Sequence, residues 1–200
     1  LSIDGSGDFV SCAIAECEGK KIKIKKKTFF PHSLGIFYHG MTQFLGFKFY
    51  GEEYKMMGLA AYGVPKYFDK IKKNLFLDNT NDLFKLNLEY FNHQKPGYKY
   101  ITGESLDIDQ IYKNKLNDLF FNDINNEKDY EEFRKNFASS VQKVYEYFFE
   151  KIISKILNKN FSKNLVFAGG CALNSSANQY ITSNNYFDKV YINYAPGDNG

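Results

Sequence analysis

Apolar residues recur every three or four positions between Tyr130 and Leu157, through Phe133, Phe137, Val141, Val144, Phe148, Ile152 and Ile156. This spacing predicts one long helix of about seven turns with an apolar stripe turned to a core. The short apolar run Leu165-Val166-Phe167-Ala168 follows, then Gly169-Gly170, then Ala172, Leu173, Ala177 and Ile181 at helical spacing. That succession reads as buried strand, tight turn and helix N-terminus. Lys189 to Tyr194 alternates as a further strand and ends at Pro196-Gly197-Asp198-Asn199-Gly200. At the other end, Ser2-Ile3 closes a strand before the glycine loop Asp4-Gly5-Ser6-Gly7-Asp8. Phe9 to Glu18 returns as a strand with Val10, Cys12 and Ile14 on one face, and Lys21 to Lys25 alternates at period two. The order is β-meander, helix, then α–β–turn–α–β–turn, an α/β chain whose strand-end loops are glycine-rich or acidic. In such sheets ligands bind at strand ends.

Between these blocks, Ile36, Phe37, Met41, Phe44 and Leu45 predict a helix stopped by Gly46. Gly51 to Gly63 packs acid, base, small residues and three glycines into thirteen positions, a short helix with glycine ends. Glu53 or Lys55 there could face a polar substrate. From Val64 to about residue 128 the periodicity weakens, with Pro65, Pro96 and Gly97 as breakers. The expectation is a peripheral, α-rich insertion over 64–129 lining an acceptor cleft.

Composition narrows the classes. Of 200 residues, 44% are hydrophobic and 24% charged, as in a soluble globular domain with a sizeable core. The net charge of +3 is too mild to argue for nucleic acid. Lysines between residues 20 and 27 alternate with Ile22 and Ile24, as in a half-buried edge strand whose lysines face water and deter pairing. The three cysteines form no C-x-x-C pair, which points to a reduced, cytoplasmic setting. No run is long enough to span a bilayer. His32, His39 and His93 show no ligand spacing, so core or surface roles are expected of them.

Candidate chemistry gathers at the glycines. Gly169-Gly170 lets a ligand approach the backbone, and a following helix N-terminus offers N–H groups to an anion such as phosphate. Gly5 and Gly7 in the first loop suit either an ordinary hairpin turn or an anion-binding nest flanked by Asp4 and Asp8. An acid beside a phosphate nest makes electrostatic sense with a cation between them.

D-G-S-G-D at 4–8, S-L-G-I-F-Y-H-G-M-T-Q-F-L-G-F at 33–47, G-E-E-Y-K-M-M-G-L-A-A-Y-G at 51–63, A-G-G-C-A-L-N at 168–174 and P-G-D-N-G at 196–200 stand in one order. Together they resemble the nodulation-type O-carbamoyltransferase family, over most of the chain outside 64–129. The resemblance implies an actin/sugar-kinase/Hsp70-type, ribonuclease H-like ATPase domain, here partial. An upstream half-domain with a metal-binding histidine pair and a downstream adenylating domain are expected to lie outside these 200 residues. It further implies carbamoyl-adenylate, made from carbamoyl phosphate and ATP, as donor to a hydroxyl of a sugar or antibiotic. On the matching positions it implies Asp4 and Asp198 as ligands of a divalent metal such as Fe2+. It implies Gly5, Ser6, Gly7, Gly169, Gly170, Cys171, Asn174, Gly197 and Asn199 as nucleotide contacts. Two carboxylates suit a hard cation beside phosphate, the glycine amides suit an oxyanion, and Glu53 is a candidate catalytic base. Two other readings stay open. One is a kinase or ATPase of the same fold with Asp8 as the catalytic aspartate for attack on a γ-phosphate, which leaves 51–63 unexplained. The other is a non-catalytic nucleotide-binding module, which has no need of the two acids.

Overall fold

A computed structural model describes residues 1–78, 82–95, 100–101, 107–122, 124–159 and 162–197. Asp198, Asn199, Gly200, Pro96 and Gly97 lie outside the described residues. The chain divides into two compact units, one of residues 1–36, 79–85 and 145–200, the other of residues 37–78 and 86–144.

The first unit is built on a sheet. Strands β1 (Ser2–Gly7), β2 (Val10–Glu18) and β3 (Lys21–Phe29) form the expected antiparallel meander. Strands β6 (Asn164–Phe167) and β7 (Lys189–Ile192) pair in parallel. The two groups are stitched edge to edge. The Ala168 amide donates to the Leu1 carbonyl at 3.0 Å, and the Ile3 amide donates to the Ala168 carbonyl at 3.0 Å. A parallel bridge joins Ser2 to Ala168. The strand order is therefore β3-β2-β1-β6-β7, with β2 antiparallel to the other four.

One face of this sheet is closed by the long helix α5 (Glu127–Asn158), whose C-terminal part belongs to this unit. Ile3, Cys12, Ile14, Leu165 and Phe167 are buried, as are Phe149, Ile152 and Ile153 of the helix. The Phe149 and Phe167 rings lie 5.5 Å apart. Helix α6 (Ser175–Ser183) connects β6 to β7 and buries Ala177 and Ile181. The predicted long helix thus forms, with three more residues at its start than the apolar stripe marks. Asn126 explains the difference: its side-chain oxygen accepts from the Asp129 amide at 3.0 Å, and Glu127 and Asp129 occupy the first turn, where carboxylates suit the helix dipole.

Two expectations change. Gly5-Ser6-Gly7 is strand rather than loop, and the chain reverses at Asp8 and Phe9, whose φ angles are 46° and 64°. Ile22 and Ile24 of the edge strand are not half-buried; they are 71% and 51% exposed.

The second unit gathers α1 (Leu34–Phe44) from Phe37 onward, α2 (Glu53–Ala60), α3 (Phe68–Leu75), α4 (Lys115–Phe120) and the N-terminal part of α5. Its core is aromatic. The Phe44 ring stacks on Phe121 at 4.9 Å and meets the rings of Phe137 at 5.0 Å and Tyr112 at 5.3 Å. Such edge and stacked pairs add about 0.5–1.5 kcal/mol each beyond the area they bury. Gly63 is fixed by proximity, because a Cβ there would stand 2.1 Å from the Lys135 carbonyl oxygen. Its neighbour Val64 donates its amide to Asn136 Oδ1 at 2.9 Å. Among the described residues, 64–129 holds two short helices, a 3-10 turn (Leu88–Tyr90) and a two-stranded pairing of β4 (Tyr100–Ile101) with β5 (Asp107–Ile108). The segment is mixed rather than α-rich, because its Asn, Asp and Pro residues keep interrupting helices.

The Asp8–Phe9 reversal carries two left-handed residues in succession, a two-residue hairpin turn that favours glycine at its second position. A side chain in that region costs about 1–2 kcal/mol, and the Phe9 ring is 77% exposed, so it recovers little by burial. Phe9→Gly is expected to raise the thermal midpoint by a few degrees, measured by differential scanning calorimetry.

Candidate functional site

The segments that leave β6 and β7 converge on Asp4, which lies within β1. The turn after β6 crosses directly over β1. At Gly169 φ is +94°, and a Cβ would lie 2.2 Å from the Ile3 carbonyl oxygen. One residue further, a Cβ on Gly170 would lie 3.2 Å from Asp4 Oδ1. The chain after β7 arrives at the same place: the Gly169 amide donates to the Pro196 carbonyl at 2.8 Å, and the position of a Gly197 Cβ is 3.9 Å from Gly170 Cα.

The start of α1 closes the fourth side. Ser33 is fully buried, donates its hydroxyl to the Asp4 carbonyl at 2.8 Å and accepts the Ile36 amide at 3.1 Å, so one side chain caps the helix and holds the strand end. A Cβ on Gly35 would stand 2.7 Å from the Gly5 nitrogen. Asp4 itself accepts the Gly5 amide at 2.7 Å through Oδ1 and remains partly exposed. The result is one carboxylate at the C-terminal edge of parallel strands, ringed by bare backbone.

The other expected site residues fall into place unevenly. Ser6 and Gly7 are exposed strand residues leading to the hairpin turn, and Asp8 is exposed within it. Of the two readings of this loop, the structure shows the hairpin turn, with its positive φ angles at Asp8 and Phe9. The helix expected to begin at the glycine pair begins at Ser175, after a 3-10 turn over Gly170–Leu173. Asn174 is its N-cap: Oδ1 accepts the Ala177 amide at 3.0 Å, so this first-turn N–H is satisfied internally. Leu173, placed on the buried face by its spacing, is 62% exposed for the same reason. The Gly169 amide, expected to face an oxyanion, is used by Pro196. The Cys171 carbonyl accepts the Tyr145 hydroxyl at 3.4 Å.

A divalent cation needs several oxygen donors. Among the described residues no group of three or more His, Cys, Asp or Glu gathers to hold one, and Asp4 stands as a single carboxylate. The second expected ligand, Asp198, and the expected contact Asn199 lie outside the described residues. The described donors alone do not fit a metal centre.

Glu53 lies in the second unit and has a partner that sequence reasoning missed. The His39 ring nitrogen Nδ1 hydrogen-bonds Glu53 Oε1 at 2.5 Å. His39 is 5% exposed, and its Nε2 is buried without a hydrogen-bond partner among the described residues. The Tyr50 ring centre lies 5.8 Å from the imidazole. Burial pushes the Glu53 carboxyl up, but the His39 bond, the imidazole's charge and the backbone amides of Glu53 and Gly51 together hold it below its ordinary value. Nothing in the residue pattern pairs positions fourteen apart across a turn; only the isolation of a histidine on an apolar helix face hinted that it needed a polar neighbour.

With this geometry in view, the chain belongs to the carbamoyltransferase N-terminus family, whose model matches residues 1–200. Among individual proteins, it is 33% identical over 201 residues to the uncharacterised protein sll1178 of Synechocystis sp.. It is 26% identical over 205 residues to the nodulation protein NolNO of Sinorhizobium fredii and 26% identical over 202 residues to the nodulation protein NolO of Bradyrhizobium diazoefficiens. The whole chain is covered each time, but it spans only 31%, 26% and 32% of the three relatives' lengths. No helix among the described residues is long and apolar enough to cross a membrane.

Two outcomes follow for variants of these residues. Gly169→Ala forces a methyl into the Ile3 carbonyl in a left-handed conformation, so a loss of stability above about 2 kcal/mol is expected in urea titration. Glu53 has a lowered folded-state pKa, so the stability it contributes is present above the unfolded-state value and is lost as pH falls through the folded one. Wild type is therefore expected to exceed Glu53→Gln in stability at pH 7, with the gap closing as pH drops below the ordinary glutamate value of about 4.3.

Proposed function

We propose that this chain is the transfer half of an O-carbamoyltransferase and that Asp4 and the bare backbone around it form the donor site. The observation that carries the reading is the convergence on Asp4 of the segments after β6 and β7 and the start of α1, where Gly35 and Gly169 leave no room for a Cβ, in a chain of a carbamoyltransferase family. The order β3-β2-β1-β6-β7 with β2 reversed supports a ribonuclease H-like domain of the actin/sugar-kinase/Hsp70 type. Membership of the carbamoyltransferase family directs the proposal toward a hydroxyl-bearing small molecule as acceptor; the proposed donor is carbamoyl-adenylate from carbamoyl phosphate and ATP.

In this reading the acceptor oxygen attacks the carbamoyl carbon, the bond from that carbon to the phosphate oxygen breaks, and AMP leaves. Gly5, Gly170 and Gly197 border the donor phosphate, because their backbones admit close approach. A bound divalent cation would offset phosphate charge. Asp4 is the described group that would face it, with Asp198 as the proposed second ligand. Asp4 holds a negative charge at the mouth of the strand edge, while Ser33 and Gly35 fix its backbone. Cys171 and Asn174 shape the turn beneath; in the second unit, Glu53 orients the His39 ring.

The full-length protein, given carbamoyl phosphate, ATP and a panel of sugar acceptors, is expected to release AMP in step with carbamoylated acceptor. ADP production that ignores carbamoyl phosphate would instead mark a kinase or ATPase, and nucleotide binding without turnover a non-catalytic module. Asp4→Asn keeps an oxygen for the Gly5 amide and removes only the charge. It is expected to lower kcat by about 10²-fold with an unchanged thermal midpoint.

A further inference from the structure

Six of the eight residues from 20 to 27 are lysine, and the strand register sorts them. Residues 12, 14, 16 and 18 of β2 share one face of the sheet, the face on which Cys12 and Ile14 are buried. Their partners on β3 are Thr28, Lys26, Lys23 and Lys21. Lys25 is the extra residue of the bulge between Ile14 and Ala15, and its ammonium meets the Glu16 carboxylate at 2.7 Å. Lys155 of α5 adjoins this row: burial, then Lys26 and Lys151, hold it below its ordinary value, against the opposing pull of Asp82. The acids beside these lysines are Glu16 and Glu18 of β2 and Asp82. The excess charge is positive.

The row runs along an open edge. Among the described residues no strand pairs with the outer side of β3, the last strand of its sheet. Alternate residues of an antiparallel edge strand turn their amides and carbonyls away from the sheet. From Lys21 to Ile24 every residue is exposed and the register with β2 is unbroken; the bulge at Lys25 ends the run. A strand added there would set its side chains about 5 Å from those of β3. Carboxylates beside Lys21 and Lys23 suit that position. A second copy of β3 in matching register would bring lysine against lysine, which is destabilising. The lysines that turn away another copy thus select an acidic strand, because repulsion of the wrong partner is half of specificity. Nucleic acid would use the charge and leave the amides and carbonyls of the edge unanswered.

We propose that the Lys21–Ile24 edge docks an extended acidic segment of a partner protein, which adds to the sheet as a further strand with carboxylates beside Lys21 and Lys23. Strand β2 separates this edge from β1, which carries Asp4, so the docking edge stands or falls apart from the chemistry proposed above.

The full-length protein is titrated into a fluorescein-labelled octapeptide of alternating glutamate and valine, and binding is read by fluorescence anisotropy. Replacing Lys21→Gln and Lys23→Gln together is expected to weaken binding about 5-fold with an unchanged thermal midpoint. Two further peptides carry N-methyl groups on one or the other alternate set of amides; at least one is expected to lose binding. Failure of the acidic peptide to bind overturns the inference. Binding retained by both N-methylated peptides, or tighter binding of poly(U) than of the peptide, also overturns it, because the lysines then act as charge alone.

Discussion

The crossing of β6 over β1 at Gly169 is the constraint on which the rest of the first unit hangs. Two backbones pass so closely that a single methyl would stand 2.2 Å from a carbonyl oxygen. The crossing also fixes where the chain after β7 must come to rest, because the Gly169 amide is the group that holds the Pro196 carbonyl. Steric exclusion here does what side-chain contacts do elsewhere: it limits how the segments can sit against one another. The carboxylate of Asp4 at this crossing is met by the Gly5 amide, while the Ser33 hydroxyl holds the Asp4 carbonyl.

Much of this was legible in the residues. The helix over 127–158 could be seen because a period of 3.6 sustained over many turns has no competing explanation. The meander showed through alternation, and the tight turn after β6 through the glycine pair at 169–170. The start of α6 was misplaced because Leu173 continued an apolar spacing by accident, whereas Asn174, a residue that competes well for a helix's first amides, marked the true boundary. The exposure of Ile22 and Ile24 could not be read at all, since alternation tells which residues share a face but not whether anything covers it.

The second unit illustrates a different limit. Its packing rests on aromatic clusters such as that around Phe44, drawn from segments widely separated in the chain. With 20 Phe and 16 Tyr in the sequence, no individual ring announces its neighbours. The His39–Glu53 pair is hidden likewise. Each lies on its own helix, and the bond between them depends on how the intervening turn brings α1 and α2 together. Burying an imidazole with one nitrogen unanswered is costly, and the carboxylate on the other nitrogen offsets part of that cost.

The bond between Leu1 and Val166 spans 165 residues. A ribosome therefore finishes the β-meander long before its neighbouring strand exists, and all the intervening residues must be synthesised before β6 can dock. Until then β1 is an open edge, and edges of that kind recruit strangers. The surroundings of Asp4 thus assemble only once β6 and β7 have been made, which ties the appearance of the proposed donor site to completion of the sheet.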